Sequence, residues 1–326
     1  MSDTVHHPEG VHHRRFRVDP RLHTDLRGLR PWICAAQITT QWLVCSLAIA
    51  TAEHLHHWYV TLPVLMVIAT RQHALLVLMH DAAHGLISRR RWLNDLIGHL
   101  LLSFPMTVSV ARYRRHHLLH HRHLNQSLDP DRTDSILPAS RSDFLRLLLR
   151  DVTGLTTLTT LRSANHFGML GLFSANARGS LQDRLLAVFF LLGLVLTLWA
   201  GGWGWQFLLY WIAPMLLFLP ALLRVRGIAE HGGRLDHPAD RNARSIRPGW
   251  LERLVWAPCH IHLHWEHHSC PAVPSYNLPR LSRRLVAAYP ASEAAQALDG
   301  YFLGRRSLLN DLFPRADRAR PEGVRP

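Results

Sequence analysis

Four long apolar runs are the main pattern along this chain. They extend over Trp32 to Ala52, Trp58 to Met79, Leu185 to Gly201 and Trp203 to Leu223. Each falls within or near the roughly 17–25 residues that a helix needs to cross a bilayer. Only the second run is notably interrupted, near its end, by Arg71-Gln72-His73. The pattern predicts an all-α integral membrane protein with four transmembrane helices in two hairpins.

The distribution of arginine predicts how these helices are oriented in the membrane. The connectors within the hairpins, Glu53 to His57 and Gly201-Gly202, contain no arginine, whereas the stretches before the first run, from 80 to 184 and after Arg224 are rich in it. Basic residues near the ends of spans mark the cytoplasmic side. We therefore expect a bacterial inner-membrane protein with its arginine-rich face in the cytoplasm. The net charge of +14 then favours contact with anionic lipid headgroups over nucleic acid.

The segments outside the runs predict three further features. Residues 93–110 are apolar but broken by polar residues and Pro105, which indicates a re-entrant or interfacial helix pair. Leucine and arginine alternate from Phe144 to Phe173, which favours a helix along the membrane surface. The end of the chain, from about Leu312, has the composition of a disordered segment.

These features predict three parts of the chain. Residues 1–30 form a polar cytoplasmic tail, residues 31–290 a membrane domain with a cytoplasmic helical cap, and residues 291–326 a cytoplasmic C-terminal segment.

Nine histidines in four clusters carry the candidate chemistry. In the three larger clusters the spacing is i with i+3 or i+4, so a helix would present the imidazoles on one face. Imidazole suits iron, zinc, copper and nickel, and nine ligands are too many for one ion, so the pattern predicts two metal ions. The nine are His80, His84, His117, His120, His121, His231, His264, His267 and His268.

Carboxylates accompany these imidazoles. Asp81, Glu230 and Glu266 stand next to cluster histidines, and Asp129 and Asp131 follow the second cluster. A carboxylate that accepts the second ring N–H of a ligand fixes its tautomer and orientation. We expect Asp81, Glu230 and Glu266 to support the catalytic centre in this way.

Three other histidines lie close to the clusters. His73 is seven residues before His80 and deeper in the span, where a polar side chain is a functional candidate. His116 and His123 border the second cluster but point off its helical face, so we expect them to be neighbours and not ligands.

The clusters resemble the histidine boxes of the membrane fatty acid desaturase family. The boxes read His80-Asp81-Ala82-Ala83-His84, His117-Leu118-Leu119-His120-His121 and His264-Trp265-Glu266-His267-His268. Their flanks are also similar to the family, namely Tyr113-Arg114, Asn125, Asp129-Pro130-Asp131 and the segment from Pro271 to Pro279. The resemblance extends from about Arg71 to Leu281. His262 departs from it, because relatives commonly have Asn or Gln at that position.

The resemblance implies two iron ions, O2 as a co-substrate and desaturation of a fatty acyl chain. It assigns the eight box histidines as iron ligands, and His231 matches an additional histidine of many members. The chain shows no haem domain, no Cys-rich iron–sulfur motif and no Gly-x-Gly-x-x-Gly fingerprint. An external donor, such as a ferredoxin or a cytochrome with its reductase, is therefore expected to supply electrons.

Other functions stay open at this point. The same scaffold serves hydroxylases, carotenoid oxidases or ketolases, and oxidative decarboxylases that form alkenes, and a scaffold does not determine the reaction. A different class is a membrane metal transporter without redox chemistry. A transporter would place ligands near the middle of several spans, where only His73 comes close.

Overall fold

The computed structural model describes residues 17–164, 166–173, 180–235 and 241–314. Within these ranges the chain is all-helical, and four helices are long and apolar enough to cross a membrane. They are α1 (Pro31–Leu55), α2 (Trp58–Ala83), α7 (Leu181–Gly201) and the fourth span (Gly204–His231). The prediction of an all-α membrane protein with four spans is confirmed.

Local sequence explains where α1 begins and where α7 begins and ends. Pro31 occupies the first turn of α1, where the lack of an N–H costs no hydrogen bond. Ser180 and Asp183 form a capping box at the start of α7. At its end, Gly202 adopts φ +64, a left-handed conformation that glycine reaches without strain. Short connectors, His56-His57 and Gly202-Trp203, close the two hairpins.

The fourth span is not one regular helix. It consists of α8 (Gly204–Phe207), a π-helical turn (Leu208–Ile212), α9 (Ala213–Leu217) and α10 (Leu219–His231). The turn places Trp211 against Trp42 of α1, with ring centroids 5.2 Å apart. The Gln72 side chain donates to the Trp211 carbonyl, 2.8 Å away. A polar residue of α2 thus satisfies a backbone oxygen beside the irregular turn, which buried backbone requires.

The chain between the hairpins differs in two places from the sequence prediction. The expected interfacial helix pair is one bent segment, in which α3 (Arg91–Ile97) continues into a π-helical turn (Gly98–Ser103) and a 3₁₀ turn (Phe104–Met106). The expected single helix over 144–173 is divided into α5 (Arg141–Val152), α6 (Thr157–Ala164) and a 3₁₀ turn (Met169–Phe173). Gly154, at φ +77, ends the first of these helices.

The remaining helices lie on the membrane face at which α2 and α10 end, which we call the histidine face. They are α4 (Val110–His123), α11 (Trp250–Trp256), α12 (His264–Ser269), α13 (Leu278–Ala288) and α14 (Leu308–Leu312).

The described parts of the two terminal segments pack on these helices. Leu26 is 1% exposed, and its carbonyl accepts a hydrogen bond from Asn277. Tyr301 is also buried, and its backbone N–H donates to Glu252. Residues 1–16 of the predicted polar tail and residues 315–326 of the predicted disordered end lie outside the described residues.

Candidate metal centre

The first histidine box is positioned by the end of the second span. His80 lies in the last turn of α2, and His84 is the residue that ends this helix. His80 is 2% exposed, and neither of its ring nitrogens has a hydrogen-bond partner among the described residues. Buried polar atoms without a partner are rare. A metal ion would satisfy one of these nitrogens.

The second box lies on α4. The Ser109 side chain caps the start of this helix by accepting a hydrogen bond from the Arg112 backbone N–H. His117 and His121 are four residues apart and point the same way, with Nε2 atoms 2.9 Å apart. His120 faces a different direction, towards His231. One helix therefore supplies ligands to two separate positions.

The third box forms the short helix α12. Trp265 and Glu266 are buried, which holds α12 against α13. The helix turns His264 and His268 to the same side, with Nε2 atoms 3.0 Å apart. His267 points elsewhere, and its Nε2 lies 3.0 Å from that of His121.

The nine histidines form two adjacent groups. The first, which we call the five-histidine group, consists of His80, His84, His117, His121 and His267. One ring nitrogen from each lies within 4.8 Å of all the others. The Nε2 atoms of His84 and His117 are 3.0 Å apart. An imidazole nitrogen binds a first-row ion at about 2.1 Å, so ligands on opposite sides of one ion are about 4 Å apart. The group has the dimensions of a single metal site.

The second group, the four-histidine group, consists of His120, His231, His264 and His268. The Nε2 of His231 lies 2.9 Å from that of His264 and 3.3 Å from that of His120. His268 joins the same set through His264 and His120. The two groups are in contact, because the rings of His121 and His268 stack with centroids 4.2 Å apart.

The protonation state of the imidazoles suits metal binding. Burial lowers the pKa of His117, His264, His267 and His268 well below the usual range, and that of His84 to about 4. These rings are neutral at pH 7, as a metal ligand must be. His120 differs. Burial alone would lower its pKa, but the hydrogen bond and charge of Asp129 outweigh burial and raise it.

Several outer groups hold the ligands in place. Asp129 Oδ1 lies 2.8 Å from Nδ1 of His120. The Asn242 carbonyl oxygen is 3.1 Å from Nδ1 of His231. These contacts leave Nε2 of each ring free to face the four-histidine group, which is the arrangement that orients metal-binding histidines.

The three carboxylates expected to support the centre differ in their contacts. Glu230 lies 3.3 Å from Nδ1 of His264 and also accepts a hydrogen bond from Arg226. Asp81 is 3.8 Å from Nδ1 of His80, too far for a hydrogen bond, and accepts from the backbone N–H of Ser275. The Glu266 carboxylate accepts a hydrogen bond from Ser245. Glu266 is therefore placed to hold α12 in the fold, and the contacts of Asp81 and Glu266 differ from the sequence expectation.

Other residues near the boxes lie around the two histidine groups. His116 contacts Asp131, whereas His73 and His262 are buried and belong to neither histidine group. The Tyr113 ring stacks on His117, with centroids 5.3 Å apart and planes at 8°. The sequence pattern gave no reason to select Asn242, because it contributes only a backbone oxygen. Asp129, one of the two carboxylates named after the second box, is the residue that lies beside His120.

Comparison with known proteins agrees with this geometry. A model of the family described as "Fatty acid desaturase" matches residues 56–298. An sn-1 oleoyl-lipid 12-desaturase of Picosynechococcus sp. is 26% identical, over 79% of this chain and 77% of the relative. Dihydrorhizobitoxine desaturase of Bradyrhizobium elkanii is 25% identical, over 80% and 78%. An sn-1 acyl-lipid omega-3 desaturase (ferredoxin) of Nostoc sp. is 28% identical, over 72% and 70%. With its histidine boxes gathered at the end of four membrane-spanning helices, the chain belongs to the fatty acid desaturase family.

Proposed function

We propose that this protein is an O2-dependent di-iron oxidase that introduces a double bond into a fatty acyl chain of a membrane lipid. The observation that carries the proposal is the division of nine histidines, six buried and three half-buried, into adjacent groups of five and four. Two adjacent groups fit two ions, and imidazole is a suitable ligand for iron. The relatives named as lipid desaturases support the choice of substrate.

The overall reaction balances with an external donor. Desaturation removes two hydrogens from adjacent CH2 groups, and O2 takes up these two hydrogens, two electrons and two protons to give two water molecules. Bound iron would supply the O2-derived oxidising power that breaking an unactivated C–H bond requires. Two electrons per turnover must come from outside the described residues. The relative named as a ferredoxin-dependent desaturase supports a ferredoxin as the donor, and a cytochrome with its reductase is the other candidate.

The chain's own residues position and enclose this chemistry. The five-histidine and four-histidine groups would each hold one ion. Asp129 and Asn242 orient His120 and His231 through hydrogen bonds at their Nδ1 atoms. Glu230 lies 3.3 Å from Nδ1 of His264 and adds a negative charge beside this ring. Burial of the histidines keeps bulk water from the site, which strengthens electrostatic interactions there and prevents side reactions.

We also propose that the histidine face is cytoplasmic and that the membrane is the bacterial inner membrane. The connectors on the opposite face, His56-His57 and Gly202-Trp203, contain no arginine, whereas the segments on the histidine face are rich in it. Alkaline phosphatase fused after Trp203 should be active, and a C-terminal fusion should be inactive. The reverse pattern would contradict this orientation.

The central test compares lipids of cells that express the intact chain with those of cells that express His120→Ala. A suitable ferredoxin and its reductase should be co-expressed. New unsaturated acyl chains, detected by gas chromatography with mass detection, are expected only with the intact chain. His123→Ala is the matched control, because His123 lies on the same helix but outside both histidine groups.

Products other than unsaturated acyl chains would indicate a different function. Hydroxylated chains, terminal alkenes or modified carotenoids in place of unsaturated lipids would retain the oxidase and replace desaturation. Iron should also be measured in the purified protein. Two iron ions per chain without any oxidised product in any lipid or carotenoid pool would refute the proposed reaction, and zinc uptake by cells that depends on the same histidines would indicate a transporter.

A further inference from the structure

Arg71 is a cation within the second membrane span. It precedes Ala83 by 12 residues, which places it about 18 Å from the end of α2 on the histidine face. Its guanidinium donates to the side-chain oxygen of Gln41 (3.0 Å), the carbonyl of Leu254 (3.1 Å) and the hydroxyl of Thr70 (3.3 Å). All three of these acceptors are neutral. A partly buried charge normally pairs with an opposite charge. Arg71 instead contacts neutral groups at the level of α11 and is a candidate for binding an anion.

A cavity of about 420 Å³ opens beside this arginine, between α1, α2 and α11. Arg253 and His260 also line it, and none of the described residues around it is acidic. Burial, together with the charge of Arg253, lowers the pKa of His260, so its ring is a neutral N–H donor at pH 7. Two guanidinium groups and an imidazole thus face one space, a set of donors that suits an anion.

The backbone that carries His260 is strained. Cys259 and His260 have φ values of +51 and +64, the left-handed region that residues other than glycine rarely adopt. Two consecutive residues of this kind need support from the surrounding structure, and such strain concentrates at binding and active sites. Here it forms the turn that places His260 at the cavity.

The mouth of the cavity has an apolar rim. Trp250, Leu251 and Leu254 of α11 are 79%, 51% and 53% exposed, and Trp250 and Leu254 line the cavity itself. A short helix that packs on a membrane span and exposes large apolar side chains is suited to lie in the headgroup and acyl boundary. A ligand that enters here meets lipid on one side and the arginines on the other.

We propose that this cavity binds the phosphodiester headgroup of an anionic membrane phospholipid. Arg71 and Arg253 contact the phosphate, and the apolar side chains of α11 contact the acyl region. The planar guanidinium fork matches phosphate oxygens, and the rim restricts access from the aqueous side. The site is distinct from the two histidine groups, and the inference does not rest on the proposed desaturation.

Native mass spectrometry of the purified full-length protein in detergent tests this site. The probe lipids are phosphatidylglycerol and, as a zwitterionic comparison, phosphatidylcholine. We expect one tightly bound phosphatidylglycerol, and binding weakened about tenfold or more by Arg71→Gln or Arg253→Gln. Arg150→Gln, an exposed arginine of α5, is the matched control and should bind as the unmodified chain does.

Three results would overturn the proposal. They are equal affinity for the two lipids, unchanged phosphatidylglycerol binding in Arg253→Gln, and an equal loss in Arg150→Gln. Because Arg253 is exposed, its variant should fold even if Arg71→Gln does not. Millimolar inorganic phosphate is added in a second series, and displacement of the lipid by this ion would assign the site to a soluble phosphate.

Discussion

Asp129→Asn is the most informative single change at the metal centre. The Asp129 carboxylate receives three hydrogen bonds, from Nδ1 of His120 (2.8 Å) and from the backbone N–H groups of Asn125 (2.7 Å) and Asp131 (2.9 Å). An asparagine has one acceptor oxygen in place of two and presents an NH2 group to the other donors. At least one buried donor would therefore lose its acceptor.

The size of the effect follows from this contact. A buried donor left unsatisfied costs about 1–3 kcal/mol, and every 1.4 kcal/mol is a tenfold change in an equilibrium constant. Since His120 belongs to the four-histidine group, the ion in that group should bind about 10- to 100-fold more weakly. The ion in the five-histidine group should bind as before, because Asp129 does not contact those ligands in the described structure.

Iron titration of purified protein measures this difference. The protein is equilibrated with iron at buffered concentrations, and bound iron per chain is determined by plasma mass spectrometry. Asp131→Asn is the matched control, because the Asp131 carboxylate contacts His116 and lies 3.8 Å from Nδ1 of His120. Wild-type affinity for both ions in Asp129→Asn would refute the reasoning, and so would an equal loss of both ions.

Three further changes test other parts of the structure. His267→Ala should remove the ion of the five-histidine group and abolish turnover, while the chain still inserts into the membrane. The control, His123→Ala, should retain both ions. Substantial activity in His267→Ala would exclude His267 as a ligand. The Ser245 hydroxyl donates to the Glu266 carboxylate, and a glutamine side-chain oxygen can accept the same bond. Glu266→Gln should therefore leave iron content unchanged and shift stability by no more than about 1 kcal/mol. Lost iron would instead show that this carboxylate supports a ligand. Asp151 is fully buried, accepts hydrogen bonds from Arg224 and Thr156, and links α5 to α10, so Asp151→Asn should cost about 2 kcal/mol. The control is Asp143→Asn, which breaks the exposed pair of Asp143 and Arg146 and should change stability by less than about 1 kcal/mol. Equal melting temperatures of Asp151→Asn and Asp143→Asn in detergent would contradict the expected difference in stability.

The sequence alone was sufficient for the four spans, and it selected nine histidines that the structure brings together. A span is visible in sequence because hydrocarbon requires about 20 consecutive apolar residues, and the runs of this chain meet that requirement independently of what they pack against. The i, i+3 and i+4 spacing of the boxes shows which imidazoles share a helical face, since that relation depends on a single helix.

The tertiary structure decided how these parts combine. His120 and His121 are neighbours in sequence, yet they belong to different groups, because adjacent residues on a helix point in directions about 100° apart and other helices determine what each one meets. Glu266 stands beside His267 but contacts Ser245, whereas Asp129, nine residues after His120, holds the His120 ring. The partners of a side chain depend on distances between helices, and periodicity within one helix carries no information about those distances. For the same reason, only the packed structure shows that Arg71, Arg253 and His260 face one cavity.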